Sequence, residues 1–100
     1  MSPATADPGA FLHAVADPTR RRILTTLKSK GGCSLGSDKA GLCAADIESR
    51  VKLAQPTISH HMRILEKTGL VEVRKRGHWR WYRRNEKLIA RMTRELKNQL

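Results

Sequence analysis

The sequence is poor in several things that other classes of protein need. Cys33 and Cys43 are its only cysteines, and they make neither a Cys-x-x-Cys pair nor a Cys/His set with zinc-finger spacing. They read first as reduced thiols of a cytosolic chain. No run approaches the roughly 18 to 20 apolar residues of a membrane span, and the opening MSPATADPGAF lacks the basic start and apolar core of a secretory leader. A cytoplasmic protein with no membrane partner is expected. Acidic residues number only 9, and there is no paired-carboxylate pattern, Ser-His-Asp set or phosphate-binding glycine loop. Neither enzymatic chemistry nor a cofactor is expected. A length of 100 residues has room for one hydrophobic core, so residues 1–100 are read as a single domain.

Positive charge is what the chain has in excess. Lys and Arg number 20, giving a formal net charge of +11. Such a chain repels itself and attracts polyanions. Nucleic acid, an anionic membrane surface and an acidic protein all satisfy that balance, so the placement of the charge has to decide.

Residues 1–8 are expected to be a flexible tail. Phe11, Leu12 and Val15 then mark a short amphipathic helix that ends near Asp17-Pro18. A second helix starts at once, with Asp17 able to accept from free backbone N–H groups and Pro18 suited to the first turn. Ile23, Leu24 and Leu27 form its buried stripe, and Arg20, Arg21, Arg22 and Lys28 are assigned to a solvated face. The segment Ser29 to Gly41, with its four glycines, is a loop longer than compact domains usually use. Cys43 to Ser49 reads as a short helix with Ile47 inward, and Val51 and Leu53 pack in the following turn. The next helix opens at Gln55-Pro56 and runs to Thr68, where Gly69 can stop it in a left-handed conformation. About five residues, Arg50 to Ala54, join these two helices, which is helix-turn-helix spacing.

From Leu70 the hydrophobic period becomes two. Val71 and Val73 alternate with Glu72 and Arg74, and after a turn at Gly77 come Trp79, Trp81 and Tyr82, as in a β-hairpin whose valines and tryptophans share a buried face. Asn85 caps a last helix with Leu88, Ile89, Met92 and Leu96 in one stripe. The expected fold class is mainly α with a small β-hairpin, in the order α-α-α-α-β-β-α.

On the Gln55 to Thr68 helix, Met62 and Leu65 lie within about 40° of Ile58, and the three form a core face. Gln55, Thr57, Ser59, His60, Arg63 and Lys67 lie away from it. These side chains offer donors, acceptors and positive charge suited to DNA base edges. His61 borders the core and is expected to be structural. Its neighbour His60 points elsewhere, so the pair is not read as a metal site. On the hairpin, Arg74, Lys75, Arg76, His78 and Arg80 suit phosphate contact or insertion into the minor groove.

From Phe11 to Leu100 the sequence resembles the ArsR family of winged helix-turn-helix repressors. The resemblance is most specific in Ala16-Asp17-Pro18-Thr19-Arg20-Arg21-Arg22-Ile23-Leu24, in Gln55-Pro56-Thr57-Ile58-Ser59-His60-His61-Met62-Arg63-Ile64-Leu65, and in Leu70-Val71 with the wing. Pro56, Ser59 and His61 stand where that family's recognition-helix signature puts them. The resemblance implies a double-stranded DNA operator as partner and a homodimer joined through the first and last helices, here by Phe11, Leu12, Leu88, Ile89, Met92 and Leu96.

Many members of that family sense metals through Leu-Cys-x-Cys-Asp. Here the segment is Leu42-Cys43-Ala44-Ala45-Asp46, with Ala45 in place of the second cysteine. Others bind zinc through Asp and His on the last helix, and Asn85 to Leu100 contains neither. No familiar metal site is expected. Arg84 also departs from the family, which usually has an apolar strand residue there. Two further readings stay open: a thiol redox or metal sensor using Cys33 and Cys43, and a protein-interaction module built on the last helix.

Overall fold

A computed structural model describes residues 7–28 and 42–100, without the side chains of Arg76 and Trp79. Its elements are α1 (Pro8–Ala16), α2 (Pro18–Lys28), β1 (Leu42–Cys43), α3 (Ala44–Val51), α4 (Gln55–Lys67), β2 (Val71–Arg76), β3 (Trp79–Arg84) and α5 (Glu86–Gln99). The expected order of helices and hairpin is present. The expected loop from Ser29 to Gly41, with Cys33, lies outside the described residues.

Local chemistry explains most boundaries. Asp7 accepts from the Gly9 N–H at 3.0 Å and caps α1, so ordered helix starts inside what was expected to be tail. Asp17 accepts from the N–H groups of Thr19 (2.6 Å) and Arg20 (3.3 Å) and opens α2. At the end of α4, the Gly69 N–H donates to Glu66 O and the Leu70 N–H to Leu65 O, both at 3.0 Å. That is a Schellman motif, and it needs the left-handed φ of 81° that Gly69 adopts. The linker between α3 and α4 is shorter than expected, because α3 continues to Val51 and then turns at Lys52, itself left-handed at φ 57°.

α1 ends without wasted carbonyls. The last four C=O groups of a helix have no intrahelical partner, and here two arginines take all four. Arg20 Nε donates to Ala14 O (2.7 Å) and its Nη2 to His13 O (3.1 Å). Arg21 Nη1 donates to Val15 O (2.7 Å) and Ala16 O (3.0 Å). The assignment of Arg20 to a solvated face is therefore wrong: it is 6% exposed. The positions themselves carry a signal, since Arg20, Ile23, Leu24 and Leu27 follow the i, i+3, i+4, i+7 spacing of one helix face.

The sheet has three strands, ordered β1-β3-β2. Its centre is β3, because Leu42, given no element by the sequence, and Cys43, expected to open a helix, pair with Tyr82 and Trp81. The register also corrects the expected hairpin face. Val71 lies opposite Arg84, Val73 opposite Tyr82, and Arg74 opposite Trp81. A two-residue turn inverts parity, so odd positions of β2 face the same way as even positions of β3. The valines thus share their face with Tyr82, while Trp81 packs on the other face with Cys43.

One core holds the elements together. Ile23, Ile47, Val51, Ile58, Met62, Leu65, Leu70 and Tyr82 are buried in it, with Phe11 from α1 and Leu88 and Met92 from α5. Removing this much apolar surface from water is the main stabilising term. Arg84 adds a polar tie: Nη1 donates to Leu24 O (3.2 Å), and Nε lies 2.9 Å from Glu86 Oε2. A cation at this normally apolar position is accommodated by a helix carbonyl and a carboxylate. None of the described helices is long and apolar enough to cross a membrane.

Candidate nucleic-acid interface

The core seats α4 by Ile58, Met62 and Leu65, all buried, and this fixes which side chains point outward. Gln55, Ser59, Arg63 and Lys67 follow one another at i+4 and form a row along the helix. Within it, Gln55 Nε2 donates to Ser59 Oγ at 3.1 Å. Gln55, Thr57, His60, Arg63 and Lys67 are exposed, and Ser59 is half-buried. All six expected recognition residues thus reach the surface of one helix. No side chain caps the α4 N-terminus, so its first backbone N–H groups keep their capacity for an anion. Lys52, absent from the expected site, is exposed at the turn into α4. Its left-handed backbone, uncommon for a residue with a side chain, is the feature that draws attention to it.

Gly69 and Leu70 lead from α4 into the hairpin without an intervening loop. Arg74, Lys75, His78 and Arg80 are exposed along it; the expected Arg76 contact rests on a side chain outside those described. Arg83 is drawn aside by an ion pair, its Nε 3.1 Å from Glu72 Oε1. Gly77 turns the hairpin at φ 56°, and a Cβ there would meet nothing within 4 Å. At the turn itself the backbone thus has open space beside it, and Lys75 and His78 on either side are exposed.

His61 is half-buried beside Arg20, whose Nη1 lies 3.2 Å from His61 Nδ1. The expected structural role fits this contact. The His60 and His61 rings sit edge to face with centroids 5.2 Å apart, and His60 remains exposed. Burial holds His61 below the usual histidine range, the Arg20 and His60 charges act in the same direction, and Asp17 acts against them. For Asp17, desolvation raises the carboxyl pKa, but bonds from the Thr19 and Arg20 N–H groups and the Arg20 charge outweigh it and leave the pKa lowered.

The expected dimer residues divide into two sets. Phe11, Leu88 and Met92 are buried within the chain itself, Met92 at 1% exposure. Leu12 is 48% exposed, while Ile89 and Leu96 are half-buried at the edge of the core. The α5 stripe is thus shared: its centre serves the protomer's own core, and only its flank remains at the surface with Leu12. Cys43 is buried, and its Sγ donates to Asp46 Oδ2 at 3.0 Å. Among the described residues, no three His, Cys, Asp or Glu side chains gather where they could hold a metal.

Similarity to known proteins follows the same outline. A family model described as a helix-turn-helix domain matches residues 15–74. An uncharacterized HTH-type transcriptional regulator of Methanocaldococcus jannaschii is 42% identical over 72 residues, covering 72% of this chain and 71% of its own. An arsenical resistance operon repressor of Staphylococcus aureus is 38% identical over 79 residues, covering 79% and 66%. Among solved structures, the homodimeric winged helix-turn-helix DNA-binding domain of a possible ArsR-family regulator from Mycobacterium bovis superposes with a TM-score of 0.65. It covers 91% of this chain and 76% of its own at 22% identity, a likeness of fold.

Proposed function

The chain belongs to the ArsR family of winged helix-turn-helix transcriptional regulators, and on that premise we propose that it is a homodimeric repressor that occupies a double-stranded DNA operator. The family is one of DNA-binding regulators, not of enzymes. The observation that carries the proposal is the surface of α4: an exposed polar and basic row, held by a buried face of Ile58, Met62 and Leu65, with a basic hairpin directly after it.

Each part has a distinct task. Arg63, Ser59, His60 and Thr57 meet base edges in the major groove, where Arg donates to guanine and the hydroxyls adapt to several bases. Arg74, Lys75, Arg76, His78 and Arg80 contact phosphates or the minor groove and set register without reading sequence. A second copy covers Leu12 and the Ile89 and Leu96 flank of α5, and two α4 helices then address successive turns of the duplex. Repression follows from occupancy of the promoter. The homodimeric state of the M. bovis domain supports this arrangement, as does the unburied Leu12.

Selecting bound duplexes from random DNA tests the reading. A recovered motif with two-fold symmetry, bound with steeply salt-dependent affinity, is the expected result. Recovery of no motif, or affinity indifferent to salt, would overturn it.

A further inference from the structure

Arg20 is the one polar or charged residue buried among those described, and where it stands is informative. Its Nε and Nη2 hold Ala14 O and His13 O at the end of α1. Its Nη1 lies 3.7 Å from Asp17 Oδ2 and 3.2 Å from Nδ1 of His61. One guanidinium therefore joins the end of α1, the start of α2 and the middle of α4. A buried cation is tolerated only where it is paired and bonded, and a planar fork with five N–H groups can serve several acceptors at once.

The contact with His61 has a definite proton inventory. Guanidinium nitrogens donate and do not accept, so Nδ1 of His61 must be the acceptor and the ring proton must sit on Nε2. A proton added to Nδ1 would remove that acceptor and set a second cation against a buried guanidinium. The charged groups facing the ring are Arg20 and Asp17 from the α1–α2 junction and His60 from α4 itself. Asp17, a single carboxylate already accepting two backbone N–H groups, stands against both cations.

Resting on the reading that α4 binds DNA, we infer that Arg20 and His61 are positioning residues that hold α4 in its DNA-binding orientation only while His61 is neutral. His61 lies between His60 and Arg63 on the α4 helix, so loss of the contact changes how the row from Gln55 to Lys67 is presented. Neither residue need touch DNA. Operator affinity accordingly falls on acidification.

A variant that keeps the acceptor but does not titrate makes the test clear. Affinity for a duplex selected at pH 7.5 is measured by fluorescence anisotropy from pH 8 to pH 4.5 at constant ionic strength, for the parent and for His61→Asn. The Asn Oδ1 occupies the place of Nδ1, accepts from Arg20 and does not titrate. The parent loses up to about a hundredfold per pH unit once His61 is protonated, about tenfold for each of the two His61 that a bound dimer must keep neutral, whereas His61→Asn shows no such loss. Parallel profiles would overturn the inference. Nitrogen-15 spectra of the parent's imidazoles supply a readout that needs neither the variant's folding nor DNA: a neutral His61 with its proton on Nε2 at pH 7.5 supports the pair, and a proton on Nδ1 sinks it. A parent that binds no duplex at any pH would instead remove the functional reading, with those spectra still deciding the Arg20–His61 contact.

Discussion

Asn85 donates through Nδ2 to the carbonyl of Gly69 at 3.1 Å, while its Oδ1 accepts from the Leu88 N–H at 3.2 Å. The residue that caps α5 is thus also tied to the glycine that stops α4. The Asn85 N–H adds a bond to Leu70 O at 2.9 Å. The end of the proposed recognition helix and the start of the proposed dimer helix are joined through one residue.

Two substitutions separate these roles. Asn85→Ala loses cap and tie together and is expected to cost about 1–2 kcal/mol in unfolding free energy. Asn85→Asp keeps a capping oxygen but loses the donor to Gly69, so it should cost less. Chemical denaturation measures both. Equal losses would assign the effect to the Gly69 contact, and an unchanged Asn85→Ala curve would assign it to neither.

The division of the α5 stripe makes Met92 and Leu12 behave differently. Met92→Ala removes a side chain fully buried within the protomer and should lower stability by about 2–5 kcal/mol. Leu12→Glu changes a surface position and should leave the fold intact while giving monomers in sedimentation. A Leu12→Glu protein that remains dimeric would place the interface elsewhere.

Much of this fold was legible because its signals are local. Gly69 after a helical period, Asn85 before one, and the Ile58, Met62 and Leu65 spacing each reflect constraints within a few residues. What escaped depends on partners distant in sequence or on parity across a turn. Arg20 reads as part of a charged run until α1 presents its terminal carbonyls and α4 presents His61. The two-residue turn put Trp81 on the face opposite the valines, which alternation within each strand could not tell. Of the candidate site, the outward row of α4 was readable from the wheel. The exposed Lys52 was not, because α3 runs two residues further than expected, to Val51, before it turns.

Base reading and phosphate contact should come apart under mutation. Arg63→Ala removes a donor from the exposed row of α4 and should relax sequence preference, costing about 1–3 kcal/mol on the preferred duplex and less on others. Arg80→Ala, on the wing, should weaken all duplexes alike and lower the slope of log affinity against log salt by about 1.8, about 0.9 for each of the two wings of a dimer. Salt titrations on preferred and scrambled duplexes distinguish the two. If Arg63→Ala weakened every sequence equally, it would be a phosphate contact instead.

Stability should fall with acid in two steps, and the signs follow from the two shifted groups. His61 titrates below its ordinary 6.5 in the folded chain, so between its folded and unfolded values the unfolded chain binds more protons, and stability drops as pH falls below about 6.5. Its contribution is fully present above that value. Asp17 is also held below its ordinary 3.8; as a carboxylate it contributes stability that is present above 3.8 and is lost as pH falls through its folded value. The second loss therefore begins where the unfolded carboxyl starts to protonate. Thermal melts across pH 8 to pH 3 should show both, and His61→Asn should remove the upper one while leaving the lower. A melting temperature that is level from pH 7 to pH 5 in the parent would mean that the fold does not favour neutral His61, and that the Arg20 contact is weaker than its geometry implies.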